Sequence, residues 1–288
     1  MDPLSPPSIY LGEVDVKPEE SDQRFYSVTT ILKSLDKPAL LYWSAEQAAK
    51  LAVQVAASLP QRIEEEGEEA VVKWLRDARL RKPKGHVSDA ELGTQVHDAC
   101  EQYALTGVRP PVENPEVLPF LDRFDEWAQL WQPEYIAAEA AVYNKTYGYA
   151  GTLDALAKVD GMKVMIDYKS SRKSIGSDGK PTHPWPEAAL QVAAYRHAEL
   201  MAVWRARRFS KYRRRYYLLS TAEEELGVPM PALDGALVLH LTPEHATMHP
   251  VRADEEVFTK FLHAIEIFDW ANGMAKSVVG DPMIRKVS

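Results

Sequence analysis

The chain has 288 residues and a formal net charge of −8, from 42 acidic and 34 basic residues, and 45% of its residues are hydrophobic. This hydrophobic fraction excludes wholesale disorder and allows a sizeable core in one large domain or two small ones. The acidic balance excludes nucleic-acid binding through overall charge, so such binding would need a locally basic surface. A single cysteine, Cys100, excludes an internal disulfide framework and a four-cysteine zinc or iron–sulfur site.

The amino-terminal segment and the hydropathy of the chain bear on its location. Residues 1–24 are rich in proline and acids and carry neither the basic start nor the apolar run of a signal peptide, so we predict a loose segment. No stretch approaches the ~18 apolar residues of a membrane span. We therefore expect the chain in the cytoplasm, or in the host cytoplasm if it is phage-encoded, without a membrane partner.

A helical region is predicted over residues 25–132. Amphipathic spacing, together with proline and glycine stops, indicates five helices. The predicted helices cover residues 26–38, 38–60, 61–80, 88–107 and 114–133. The fourth begins at a Ser88 cap with Glu91 at the capping-box position, and Pro119 marks a point where the fifth could be interrupted.

The pattern changes at Glu134, where alternation and tight-turn signals replace helical spacing. Three antiparallel strands are predicted over residues 134–144, 149–160 and 161–171, joined by the turns "KTYG" and "DG". A long helix over residues 186–208, a second hairpin over 235–251 and a closing helix ending near Gly273 follow. This order predicts an α/β (α+β) fold with a mixed central sheet flanked by helices, preceded by the helical region.

Two aspartates and a lysine lie within the predicted hairpin. Asp167 and Lys169 share one face of their strand because side chains alternate, and the surrounding "MKVMID" is typical of a strand buried on both faces. Asp154, on the preceding strand, can lie close to both. Clustered carboxylates repel one another, and this favours a bound divalent cation. The alternative is a buried Asp167–Lys169 ion pair without a metal.

Two helices carry further polar pairs at a spacing of four residues. His97 and Glu101 share one face of the fourth helix, and Gln191 and Tyr195 share one face of the long helix. Taken alone, a histidine or tyrosine on a helix is more often a packing residue than a ligand. Three histidines around the second hairpin, His240, His245 and His249, could suggest zinc. Alternation puts His245 and His249 on one face, but His240 precedes the turn.

In their order along the chain, these residues resemble the motifs of the PD-(D/E)xK nuclease superfamily, and most closely its RecB-like and phage exonucleases. Four motifs carry the resemblance: G-x-x-x-H at Gly93–His97, G-x-x-D at Gly151–Asp154, D-x-K at Asp167–Lys169 and Q-x-x-x-Y at Gln191–Tyr195. The resemblance implies a restriction-endonuclease-like core over residues 133–288, with the helical region covering the active site.

The resemblance also implies roles for individual residues. His97, Asp154, Asp167 and the backbone carbonyl of Tyr168 would be metal ligands for Mg²⁺ or Mn²⁺. Lys169 would orient the attacking water and stabilise developing charge, and Gln191 and Tyr195 would support the site near the scissile phosphate. Glu139 stands at a position that is commonly acidic in the family. These roles suit phosphodiester hydrolysis, in which a metal polarises the phosphate and acidifies bound water.

Departures from the family and the basic residues refine these expectations. One cysteine cannot build the iron–sulfur cluster of many RecB-like members, so none is expected, and no Walker-type loop is present. The segment "RARRFSKYRRR" is the densest basic stretch, and the loop after Lys169 is partly basic. Phosphate contact would fall to the basic residues of both segments: Arg172, Lys173, Arg205, Arg207, Arg208, Lys211, Arg213, Arg214 and Arg215.

The chain is thus predicted to be a metal-dependent deoxyribonuclease, an exonuclease of DNA recombination, repair or phage replication. Its expected partners are DNA and recombination or replication proteins. Two alternatives stay open: a non-catalytic DNA-binding or assembly subunit that keeps the fold, and an enzyme that processes RNA.

Overall fold

A computed structural model describes most of the chain, and the chain divides into two compact units. The described residues are 25–35, 37–77, 87–176, 179–201, 207–210, 215–218 and 228–282. Residues 35–88 form the smaller unit, and residues 1–34 and 89–288 form the larger one. Among the described residues, no helix combines the length and apolar character needed to cross a membrane.

Three helices build the smaller unit: α2 (Pro38–Gln54), α3 (Leu59–Glu66) and α4 (Glu68–Arg76). The single helix predicted over residues 61–80 is therefore wrong. Gly67 interrupts it with a φ of 86°, a left-handed conformation that glycine adopts without steric cost. Across this break, the Arg62 guanidinium lies 4.1 Å from the centre of the Trp74 ring.

The larger unit contains five of the described helices: α1 (Val28–Leu32), α5 (Asp89–Thr106), α6 (Leu118–Trp131), α7 (Glu187–Arg196) and α8 (Glu255–Asn272). Pro119 does not break α6, because it lies in the first turn, where its missing N–H leaves no intrahelical bond unmade. Asp254 caps α8 by accepting a hydrogen bond from the Val257 N–H, and the helix ends at Gly273 as predicted.

The described strands form one eight-stranded sheet and a separate two-stranded ribbon. They are β1 (Tyr26–Ser27), β2 (Glu134–Asn144), β3 (Tyr149–Val159), β4 (Met162–Ser170), β5 (Leu200–Met201), β6 (Arg207–Ser210), β7 (Arg215–Leu218), β8 (Val228–Pro229), β9 (Gly235–Leu241) and β10 (Ala246–Pro250). The sheet order is β10-β9-β4-β3-β2-β5-β8, with β1 beside β3, and β6 pairs with β7. β4 and β9 run parallel, whereas β2, β3 and β4 are antiparallel neighbours. The predicted mixed central sheet flanked by helices is confirmed.

Aromatic side chains join the sheet to its helices. Tyr168 of β4 packs edge-on against Phe124 of α6, with ring centres 5.8 Å apart. Tyr149 of β3 donates a hydrogen bond to the Ala194 carbonyl of α7 and packs against Phe261 of α8. All of these rings are at most 2% exposed. These contacts hold α6, α7 and α8 against the strands that carry Asp154 and Asp167.

The helix predicted over residues 186–208 is wrong beyond Arg196, where α7 ends. The His197 carbonyl accepts a hydrogen bond from the Asn144 side chain, and the Glu199 carboxylate accepts the backbone N–H groups of Lys145 and Thr146. The chain then pairs Leu200 with Tyr143 at the start of β5. The sequence pattern of residues 197–201 favours a helix, but contacts with the β2–β3 turn outweigh this local preference.

Candidate active site

Asp154 and Asp167 are brought together by the antiparallel register of β3 and β4. Ala155 pairs with Ile166, so one step along the same register places Asp154 opposite Asp167. The Asp154 Oδ2 atom accepts a hydrogen bond of 2.6 Å from the Tyr168 N–H. Lys169 Nζ lies 2.6 Å from Asp167 Oδ2. The three residues predicted from the hairpin therefore form one cluster.

Burial and charge pairing together set the pKa values of Asp167 and Lys169. Asp167 is only 2% exposed, and its Oδ1 atom has no hydrogen-bond partner among the described residues. Burial raises the pKa of Asp167 to about 6, and the nearby Asp154 adds to the rise although Lys169 opposes it. Burial alone would lower the pKa of Lys169, but attraction to Asp167 and Asp154 outweighs it and raises that pKa. Lys169 is therefore an ammonium group at neutral pH.

His97 reaches the cluster from α5. Its Nδ1 atom lies 3.6 Å from Asp154 Oδ2, and its ring packs edge-on against Tyr168 with centres 5.9 Å apart. One turn earlier, α5 runs close to the end of β4, because a Cβ added at Gly93 would lie 3.3 Å from Ser170 Oγ. Glycine at this position permits the close approach that carries His97 to Asp154.

Gln191 and Tyr195 reach the cluster from α7. Gln191 Oε1 lies 3.5 Å from Lys169 Nζ, and Gln191 Nε2 donates to the Tyr195 hydroxyl at 3.2 Å. The Tyr195 ring covers Gly151, where an added Cβ would lie 2.3 Å from Tyr195 Cε1. The structure thus connects the Q-x-x-x-Y motif to Lys169, and the position of the Tyr195 ring explains why residue 151 of β3 is a glycine.

Glu139 occupies an irregular position on β2. Its neighbours pair as Ala138 with Ala155 and Ala140 with Leu153, so Glu139 shares a level of the sheet with Asp154. Its φ of 45° is unusual for a residue with a side chain and marks a local distortion of the strand. The family resemblance indicated an acid on this strand, but the sequence indicated neither its level in the sheet nor the distortion.

The residues of the cluster fit a hard divalent cation that relies partly on water and substrate. The described residues contain no group of three or more His, Cys, Asp or Glu side chains arranged to hold a metal by themselves. Mg²⁺ ordinarily takes one or two carboxylates and fills its octahedron with waters and phosphate oxygens. Asp154 and Asp167 can supply those carboxylates, and the unpartnered Asp167 Oδ1 is a buried acceptor that a cation would satisfy.

The residues predicted to contact DNA fall into three groups. Arg172 is paired with two acids, Asp89 and Glu116, whereas Lys173 is exposed. Arg207, Arg208 and Arg215 lie on the β6–β7 ribbon. Arg205, Lys211, Arg213 and Arg214 lie outside the described residues. Arg207 and Arg208, which the predicted helix over residues 186–208 included, lie on strand β6 instead.

A histidine cluster lies beside the site, and the sequence revealed only part of it. The ring centre of His249 lies 5.5 Å from that of His183 and 6.0 Å from that of His240. His183 belongs to the loop between β4 and α7, so no local spacing connects it with the hairpin. The His240 Nε2 atom is 2.9 Å from Ser171 Oγ. Burial, together with the other two imidazoles, lowers the pKa of His240 to about 4.

The buried His240 predicts a loss of stability in acid. Its pKa is about 4 in the folded protein against 6.5 ordinarily, so the folded state binds this proton less tightly than the unfolded state. The free energy of unfolding is therefore unaffected by this group above about pH 6.5, and it falls by up to about 3 kcal/mol as the pH drops towards 4 and below. Chemical unfolding between pH 4 and 8 should show this loss, and His240→Gln should reduce it. Equal pH dependence of the two proteins would refute this assignment.

The whole chain has only low similarity to known proteins. No protein-family profile matches it, and no curated protein matches it significantly. The crystal structure of SSO0001 is 13% identical, with 71% of this chain and 86% of that chain covered and a TM-score of 0.29. A crystal structure described as "Putative exonuclease" from Eubacterium rectale is 10% identical, with 96% and 97% covered and a TM-score of 0.34. Similarity at these TM-scores carries no argument about this chain.

Proposed function

We propose that this protein is a metal-dependent nuclease that hydrolyses phosphodiester bonds in DNA, acting as an exonuclease in recombination, repair or phage replication. One observation carries the proposal: Asp154 and Asp167 are held together by adjacent strands, with Lys169 against Asp167. Clustered acids with an adjacent ammonium suit the chemistry of a phosphodiester, which is anionic and needs charge stabilisation during attack. The resemblance to RecB-like nucleases in four ordered motifs supports the same function.

The side chains divide the work of this reaction. Asp154 and Asp167 would hold Mg²⁺ or Mn²⁺, with His97 and the Tyr168 carbonyl as the further ligands that the resemblance implies. The metal would supply phosphate polarisation and a more acidic bound water. Lys169, charged at neutral pH, donates to the anionic oxygens of the phosphate and the attacking water. Gln191 holds the lysine from the other side at 3.5 Å, and Tyr195 holds Gln191. Lys169 is thereby oriented before the substrate arrives.

Digestion of defined nucleic acids tests this proposal. Linear duplex, linear single-stranded DNA, closed circular DNA and RNA should be incubated with Mg²⁺, with Mn²⁺ and with EDTA. We expect cleavage of linear DNA that requires the metal, while closed circles persist because they offer no end. Cleavage of closed circles would indicate an endonuclease instead of an exonuclease. Faster cleavage of RNA than of DNA would indicate that RNA is the substrate. Binding of DNA without any cleavage would favour the non-catalytic DNA-binding subunit.

The basic segment over residues 205–215 is predicted to offset the overall negative charge. Changing Arg213, Arg214 and Arg215 together to glutamine should weaken DNA binding and flatten its salt dependence, because fewer counterions are released. DNA binding should be measured by fluorescence anisotropy at salt concentrations from about 50 to about 200 mM. Over this range the affinity of a protein that contacts several phosphates falls steeply enough for its salt dependence to be measured. Turnover at saturating DNA should change little. An unchanged salt slope would place the DNA path elsewhere, with the loop over residues 172–186 as the next candidate.

A further inference from the structure

Arg172 joins three segments of the larger unit at a point just beyond β4. Its Nε atom donates to Asp89 Oδ1 at 2.6 Å, and its Nη1 atom donates to the Glu116 carboxylate. Asp89 is the first residue of α5, and Glu116 lies in a short 3-10 helix, Pro115–Val117, that leads directly into α6. A single side chain therefore ties the beginnings of α5 and α6 to the strand that carries Asp167 and Lys169.

Two more contacts hold the first half of α5 in the same place. Asn114, the cap of the short 3-10 helix, donates through Nδ2 to Gln95 Oε1 at 2.7 Å. Gly93 lies against Ser170 at the end of β4. His97 follows Asp89 by eight residues, or about 12 Å of helix. The direction of α5 between the Arg172 contact and His97 therefore decides how far the imidazole lies from Asp154.

We propose that Arg172 is a positioning residue, which sets His97 against Asp154 by fixing the start of α5 on the end of β4. This inference rests on the proposed function, because it assigns Arg172 to the metal-binding side of that site. The planar guanidinium suits the task, since two of its nitrogens meet two separate carboxylates, a geometry that a lysine ammonium holds less rigidly. Groups that hydrogen-bond to a metal ligand commonly contribute about tenfold to a hundredfold to metal affinity, and we expect an effect at the lower end of that range for Arg172, which acts on the helix that carries His97.

The same contacts separate this role from direct binding of DNA. A DNA phosphate at Arg172 would compete with Asp89 and Glu116, because both carboxylates already contact the guanidinium. Arg172 is also only 29% exposed. Its action is therefore on the helix that carries His97, and the backbone-binding role predicted from its charge would fall to other basic residues.

Titration of Mn²⁺, followed by the electron paramagnetic resonance of the free ion, tests the proposal in the full-length protein. Arg172→Ala should weaken Mn²⁺ binding about tenfold or more, and Arg172→Lys should give an intermediate affinity. In a His97→Ala background, Arg172→Ala should cause no further loss, because its effect passes through His97. Arg252→Ala is the matched control: Arg252 also pairs with two acids, Asp254 and Glu256, but does so at the start of α8. Additive losses, or wild-type affinity in Arg172→Ala, would overturn the proposal.

A second measurement needs neither metal nor activity. The ring protons of His97 lie at the edge-on contact with Tyr168, so their NMR shifts depend on where α5 places the imidazole. In metal-free protein labelled at histidine, Arg172→Ala should move these resonances and Arg252→Ala should not. If the wild type neither binds Mn²⁺ nor cleaves DNA, the proposed function fails and this spectrum decides the positioning role. Unmoved His97 resonances would refute that role even in an active nuclease.

Discussion

Changing Asp167 to Asn is expected to reduce DNA cleavage by at least about a thousandfold while the protein stays folded. The buried carboxylate is within 2.6 Å of Lys169 and opposite Asp154. Its removal would take away a proposed metal ligand and the ion pair that orients the lysine. A thousandfold lower rate corresponds to a loss of about 4 kcal/mol of transition-state stabilisation, at about 1.4 kcal/mol per tenfold. Single-turnover digestion of linear DNA with saturating Mn²⁺ measures the effect.

The matched control is Asp160→Asn at the turn of the same hairpin. Asp160 has a φ of 51°, a conformation that asparagine also tolerates, so this variant should cleave like the wild type. Full activity in Asp167→Asn would remove the nuclease assignment from this site. Equal losses in both variants would indicate damage to the hairpin rather than to the chemistry.

The free energy of unfolding provides a second, independent test of the buried Asp167 carboxyl group. Because its pKa is raised to about 6 by burial, the folded state favours the protonated acid, and stability falls as the pH rises through that value. In EDTA at pH 7, Asp167→Asn should therefore be more stable than the wild type by about 1–3 kcal/mol. At pH 4 the difference should shrink, since the wild-type acid is then protonated. Urea unfolding at both pH values tests this, and a constant difference would contradict it.

Gly151→Ala is expected to cost about 1–3 kcal/mol of stability and to reduce cleavage by tenfold or more. The new Cβ would lie 2.3 Å from Tyr195 Cε1, so either the ring or the strand has to move. Tyr195 holds Gln191, and Gln191 faces Lys169. Displacement of the ring therefore reaches the lysine through two side chains. Urea unfolding and turnover at saturating DNA are the two measurements.

Gly235→Ala on β9 is the control, because an added Cβ there would meet only Val164 Cγ1 at an ordinary 3.8 Å. Its stability should stay within about 0.5 kcal/mol of the wild type. A double-mutant cycle tests whether the clash with the Tyr195 ring causes the loss of stability. In a Tyr195→Ala background, Gly151→Ala should lower the free energy of unfolding much less than in the wild type. A cost that is the same in both backgrounds would show that Gly151 is needed for a reason other than the tyrosine ring.

The sequence by itself determined the sheet strands that carry the candidate site. Alternation, β-branched residues and the turns at Lys145–Gly148 and Asp160–Gly161 are local signals, and local signals define a hairpin and its register. The register in turn places Asp154 opposite Asp167, as the structure shows. The same holds for α8, since Asp254 and Gly273 mark its ends within the sequence.

Only the tertiary structure decided where α7 ends and which partners lie around the cluster. Residues 197–201 favour helix locally, but Asn144 and the β2–β3 turn, over fifty positions away in sequence, engage His197 and Glu199. The pairing of Arg172 with Asp89 and the meeting of His97 with Asp154 likewise join distant residues. Such contacts produce no recognisable pattern of residue spacing in the sequence, because they form only when the helices have packed on the sheet.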